Sequence, residues 1–149
     1  MKLTKRVLHL PAKPVDFSKL GTAHQMLELA NSMQQFMIAN NAIGLAATQV
    51  GLRDRILVMN VDQRLWCCIN PKIVSLDNES EEFTEGCLSF PGESVTLTRP
   101  RAVKVQFQTP DGKWNEEQLT GLTARCFLHE LDHLDGITMH DRAKEQYAT

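Results

Sequence analysis

The run His129-Glu130-Leu131-Asp132-His133 constrains this chain more than any other segment. Two histidines four positions apart can hold one ion only if the segment is helical, because residues i and i+4 share a helical face. Glu130 then stands next to the ion as a general base. An ion with a carboxylate base is the minimum apparatus for hydrolysing an amide at neutral pH. An open catalytic site of this kind takes three protein ligands and leaves a position for water, so the fold must bring a second segment against the helix.

The rest of the chain narrows the class. Its 149 residues are expected to form a single catalytic domain, 1–149, long enough for a real core. Net charge is −2 with both signs interspersed, and there is no basic run, so no direct nucleic-acid partner is expected. No apolar stretch approaches membrane-spanning length. The charged start Met1-Lys2-Leu3-Thr4-Lys5-Arg6 is not followed by the apolar region of a signal peptide. A cytoplasmic location is therefore expected, with Cys67, Cys68, Cys87 and Cys126 as reduced thiols.

Periodicity predicts a helix from Gly21-Thr22 to about Asn40, capped by Thr22, with Leu27, Ala30, Met33, Met37 and Ile38 as its apolar stripe. The first fifteen residues read as an extended arm. Arg55–Val61 and Leu65–Ile69 read as strands around a turn at Asp62-Gln63, and Asn70-Pro71 reads as another turn before Lys72–Leu76. Asp77–Glu82 reads as a solvated acidic loop. Val103, Val105 and Phe107 alternate with polar residues and lead through Pro110-Asp111-Gly112 into a hairpin with Trp114. A second helix is expected from near Thr120 to Asp135-Gly136, where glycine suits the C-terminal cap, and the last thirteen residues read as peripheral. Cys67 and Cys68 are expected to face opposite sides of a strand. The absence of βαβ alternation makes the fold class α+β: small antiparallel sheets packed around a central helix carrying the H-E-x-x-H run.

The third ligand is open to more than one reading. A metzincin protease would place a histidine at position 139, which is Met139 here, and His140 stands one residue late. A gluzincin needs a glutamate on a further helix, and only Glu145 follows. Cys126 shares the helical face of His129 and His133, but three ligands from one straight helix surround an ion poorly. Cys87, in Glu85-Gly86-Cys87-Leu88-Ser89, can approach from a different direction, as tetrahedral coordination requires, and is preferred.

Three segments together resemble peptide deformylase: Ala42-Ile43-Gly44-Leu45-Ala46-Ala47-Thr48-Gln49, Glu85-Gly86-Cys87-Leu88-Ser89, and Leu128-His129-Glu130-Leu131-Asp132-His133-Leu134. Each is ambiguous alone. Their joint occurrence, in family order, is specific. The resemblance covers roughly residues 5 to 140 and implies hydrolysis of the N-formyl group from formyl-methionyl nascent peptides, with release of formate. It implies Cys87, His129 and His133 as ligands to Fe(II), replaceable by Zn, Ni or Co in purified protein. It also implies Glu130 as the proton carrier, with Gln49 and the Leu88 backbone N–H as donors to the developing oxyanion. Gly44 would let substrate backbone come close. Ile43, Phe83, Glu85, Leu122, Arg125 and Cys126 would line the methionine pocket, and Asp132 would orient a neighbour of the site.

The chain departs from that pattern at several points. Ala42 replaces a glycine, which matters only if φ there is positive. Leu128 replaces a glutamine. Arg125 takes a position usually apolar, where it would point outward or narrow the pocket and alter side-chain preference. The N-terminal arm reads as shortened. Only Asp141–Thr149 stand where many relatives carry a long basic helix that contacts the ribosome, so ribosome contact is not expected. The rival readings are a zinc endopeptidase and a closed structural metal site. The latter has no use for Glu130.

Overall fold

The computed structural model describes residues 1–145. In chain order its elements are α1 (Thr22–Ala39), β1 (Gly44–Ala46), a short 3-10 helix (Ala47–Val50), β2 (Ile56–Val61), β3 (Arg64–Leu76), β4 (Ser80–Gly86), β5 (Ser94–Pro100), β6 (Ala102–Gln108), β7 (Trp114–Thr120), α2 (Gly121–Leu134) and α3 (Met139–Lys144). A five-stranded antiparallel sheet has the order β1-β2-β3-β6-β7, and β4 pairs with β5 as a separate hairpin. The fold is α+β, with the H-E-x-x-H helix at its centre.

Side-chain alternation along β2 explains how one sheet serves two helices. Leu57, Met59 and Val61 join Phe127, Leu128, Leu131 and Leu134 of α2 in one core layer. Ile56 and Val58 point the other way, against Met26, Ala30, Met33 and Met37 of α1. The adjacent Cys68 and Cys67 follow the same rule: Cys68 is buried toward α2, and Cys67 packs against the α1 layer. Burial pushes both thiols up, Cys67 to about 12.

Of the expected α1 stripe, Ala30, Met33 and Met37 are buried and its two ends are not. Met26, not Leu27, faces the core, and Leu27 and Ile38 are exposed. Thr22 does not cap the helix. Gly21 is the cap residue in the left-handed region, and the Thr22 hydroxyl donates to the Asp16 carbonyl. Asp62 and Gln63 both have positive φ, the two-residue turn that matches strand twist and makes β2–β3 a tight hairpin. Asn70-Pro71 is not a turn. β3 runs through it with a register shift between Ile69 and Lys72, because Pro71 has no N–H for the ladder. Asn70, at φ 51°, uses its side chain to bond both backbone groups of Val15.

Three further expectations are corrected. The N-terminal arm folds through turns that bury Val7 and Leu8, and Ala12 N–H donates to the Leu134 carbonyl at the end of α2. The supposed acidic loop holds the start of β4, where the backbone of Glu81 and Glu82 pairs with β5 while their side chains stay in solvent. Residues 137–145 are not peripheral: Met139 of α3 is buried, and Thr138 and Asp141 form a capping box, while 146–149 lie outside the described residues.

Gly136 ends α2 as the sequence predicts. Its N–H bonds to the His133 carbonyl, and that of Ile137 to the Asp132 carbonyl, the paired bonds of a Schellman cap. Its φ is +77°, and a Cβ there would stand 2.7 Å from the His9 carbonyl oxygen. Gly136→Ala should therefore lower unfolding free energy by at least about 2 kcal/mol, combining left-handed strain with a backbone clash. Urea denaturation would measure it, and a change under about 0.5 kcal/mol, the usual size for a neutral surface change, would contradict it.

Candidate active site

α2 is buried from Thr123 through Leu134, because the sheet covers one side and the β4–β5 hairpin and arm cover the other. His129 and His133 therefore face inward toward Cys87, the residue after β4. Sγ of Cys87, a nitrogen of His129 and a nitrogen of His133 all lie within 4.8 Å of one another, and Cys87 Sγ is 3.3 Å from His133 Nε2. A thiolate and two imidazoles from two directions suit a divalent transition metal. Among the described residues, neither Glu130 Oε1, buried beside the cluster, nor His133 Nδ1, buried within it, has a hydrogen-bond partner. The donor set and this bare carboxylate oxygen fit a metal-hydrolase site. Burial pushes the Glu130 carboxyl up to about 7 and holds the His133 imidazole down.

The carboxylate of Glu85 organises the wall. It accepts from His129 Nδ1 at 2.8 Å, from Arg99 Nε at 2.6 Å and Nη2 at 3.0 Å, and from Arg125 Nη1 at 2.6 Å. Fixing Nδ1 as a donor leaves Nε2 of His129 free to act as a ligand. Burial alone would raise the Glu85 pKa; the His129 and Arg99 hydrogen bonds outweigh it and hold the group at about 2. Arg125 does not point outward. It lines the cavity while Nη2 donates to the Glu81 carbonyl at 2.6 Å and Nη1 to Glu85 and the Leu97 carbonyl. Its guanidinium lies over the Phe83 ring, 5.3 Å from the centroid. Arg99, fully buried between Glu85 and Asp132, was missed by sequence reasoning. The signal was available: Val95, Leu97 and Arg99 share one face of β5, and an arginine at an inward strand position needs buried acids.

A cavity of about 420 Å³ opens beside the cluster. Ile43, Gly44, Gln49, Phe83, Glu85, Cys87, Leu88, Leu122, Arg125, Cys126, His129 and Glu130 all line it, so the residues singled out in the sequence converge, with His133 behind them. Ile43, Phe83 and Leu122 stay half-exposed. Gln49 is clamped: Oε1 accepts from the Ala46 N–H, which turns Nε2 toward Ser89 Oγ at 3.1 Å and Cys87 Sγ at 3.5 Å. Ser89 was not anticipated. Cys126 Sγ lies 3.5 Å from the Ile43 carbonyl, and burial drives its thiol pKa well up, consistent with a neutral wall residue. Ala42 has no positive φ (Asn41, beside it, does), so its methyl is accommodated, and Leu128 is a core residue.

Gly44 makes room for the protein itself. A Cβ there would stand 2.6 Å from Glu130 Oε2 and 2.7 Å from Cys126 Sγ. Gly44→Ala should displace the carboxylate and cut kcat/KM about 10²-fold, at a stability cost within about 1–3 kcal/mol. Parallel kinetics and denaturation would check this; unaltered kcat/KM would show that the approach is not needed.

Comparison with known proteins agrees with the geometry. The family model for polypeptide deformylase matches residues 1–148. The peptide deformylase of Thermotoga sp. strain RQ2 is 41% identical over 139 residues, spanning 91% of this chain and 80% of that protein. The crystal structure of peptide deformylase from Thermotoga maritima superposes with a TM-score of 0.88 at 37% identity, covering 94% of this chain and 95% of that one. Peptide deformylase 1B of Arabidopsis thaliana, in complex with an inhibitor, also gives 0.88, at 32% identity over 98% of this chain and 83% of its own. With a family model over nearly its whole length and relatives at this identity, the chain belongs to the polypeptide deformylase family of metal-dependent hydrolases.

Proposed function

We propose that this chain removes the N-formyl group from the formyl-methionine of newly made polypeptides and releases formate, in the cytoplasm, with Fe(II) as its working metal. One observation carries the reading: Cys87 and His129 in the wall of a cavity converge with His133 behind them, and a buried Glu130 oxygen beside them has no partner among the described residues. The cluster would hold a divalent ion, which supplies Lewis acidity for the carbonyl and for the attacking water. Zn, Ni or Co suit the same donors, and the preference for iron rests on the family resemblance.

Each residue then has a task its position supports. Glu130 accepts the proton of the attacking water and returns it to the leaving amine. Gln49, with its oxygen fixed on Ala46, presents its amide N–H toward the oxyanion, and the Leu88 backbone N–H offers a second donor. The methionine side chain fits between Ile43, Phe83, Leu122, Cys126 and Arg125. Glu85 belongs to the same wall, but its carboxylate is engaged by His129, Arg99 and Arg125, so its proposed part is to orient His129.

A panel of Met-Ala-Ser peptides with a formyl, an acetyl or a free amino terminus tests the assignment. Amine should appear from the formylated peptide alone, with casein left intact. Cleavage of casein without deformylation would return the endopeptidase reading.

A further inference from the structure

The bonds that hold His129 continue past the site to α3. Asp132, buried on α2, accepts from Arg142 Nη2 at Oδ1 (2.8 Å) and from Arg142 Nε at Oδ2 (3.1 Å). Oδ2 also accepts from Arg99 Nη1 at 2.9 Å. Arg99 then donates twice to Glu85, and Glu85 accepts from His129 Nδ1. The run is therefore unbroken from α3 to a residue of the metal cluster. Its side chains are 17% exposed at Arg142, 7% at Asp132, 0% at Arg99 and 5% at Glu85. Charge-assisted bonds shielded from water to this degree are strong and interdependent.

We propose that Arg142 is a positioning residue for His129, acting through Asp132, Arg99 and Glu85, so that docking of α3 and retention of the metal are thermodynamically coupled. The proposal rests on the reading of Cys87, His129 and His133 as the metal cluster. Its physical basis is competition for Arg99. With the Arg142 fork removed, the buried Asp132 carboxylate loses two of its donors and draws the Arg99 guanidinium toward itself, at the expense of Glu85. Glu85 then holds Nδ1 of His129 less firmly. α3 has its own attachments, through Met139, the Thr138–Asp141 capping box and His140 against Glu93 at 3.2 Å, so loss of the fork does not by itself detach it. Coupling is reciprocal: if α3 supports the metal, the metal supports α3.

The test uses the full chain and Co(II), whose visible absorption reports both occupancy and ligand geometry. Arg142→Gln should weaken Co(II) binding about 10- to 100-fold, the usual effect of losing an outer partner of a ligand. Arg142→Lys, which restores charge without the fork, should fall between. In the Asp132→Asn background, Arg142→Gln should have no further effect, because the path already stops there. Hydrogen exchange of residues 139–144 in the wild-type chain should slow on Co(II) loading, a readout that needs no variant to fold. Wild-type affinity in Arg142→Gln, additive losses in the double variant, or α3 exchange indifferent to Co(II) would each overturn the coupling. A wild-type chain that takes up no Co(II) would instead overturn the metal reading beneath it.

Discussion

Glu130→Gln should give a folded protein that binds metal as the wild type does and turns over about 10²–10⁴-fold more slowly, the range expected when a positioned proton carrier is lost. The substitution keeps the shape of a side chain that is buried beside Gly44 and Cys126, so packing is little disturbed. What it removes is an oxygen that can take a proton. If the site only held the fold together, the carboxylate would be dispensable and there would be no turnover to lose. Kinetics with metal analysis on the same sample separates the cases: near-normal turnover, or loss of metal along with activity, would contradict the assigned role.

The largest effect on stability is expected at Glu85. Glu85→Ala leaves Arg99, Arg125 and His129 without their shared acceptor inside the protein. Removing one partner of a buried ionic network typically costs about 3–5 kcal/mol, because the remaining charges stay desolvated. The same group sets an acid limit. Its pKa is lowered from 4.5 to about 2, so its contribution is fully present above about pH 4.5 and is lost as pH falls toward 2. Equilibrium unfolding of the wild type should therefore weaken through that window, and the more conservative Glu85→Gln should show a shallower acid dependence. Equal acid profiles for the two proteins would place the sensitivity elsewhere.

The sequence made the chemistry more legible than the frame around it. The H-E-x-x-H run announces its own geometry, since helical spacing alone puts His129 and His133 on one face. The Gly136 cap and the β2–β3 turn were readable for a similar reason: each depends on backbone conformations few residues adopt. The centre of the α1 stripe, Ala30, Met33 and Met37, was legible and its ends were not, because Leu27 and Ile38 are as apolar as the methionines that do pack. Only tertiary contact distinguishes Met26 from Leu27. β4 and β5 were obscured by polar composition; as a two-stranded hairpin they leave much of their surface in water. Glu85 shows the limit at the site. Its place in the cavity wall followed from the resemblance, whereas its three partners come from β5 and two turns of α2 and are visible only once the chain is folded. Arg142, in a tail that reads as peripheral, reaches Asp132 for the same reason.

The most direct test of the central claim is formate release from formyl-Met-Ala-Ser by protein purified anaerobically, with bound metal determined on the same sample, before chelation, after it, and after restoring Fe(II). About one iron per chain is expected, with formate release that disappears with the metal and recovers when Fe(II) returns. Full metal occupancy without formate, or formate release that survives complete removal of metal, would contradict the claim.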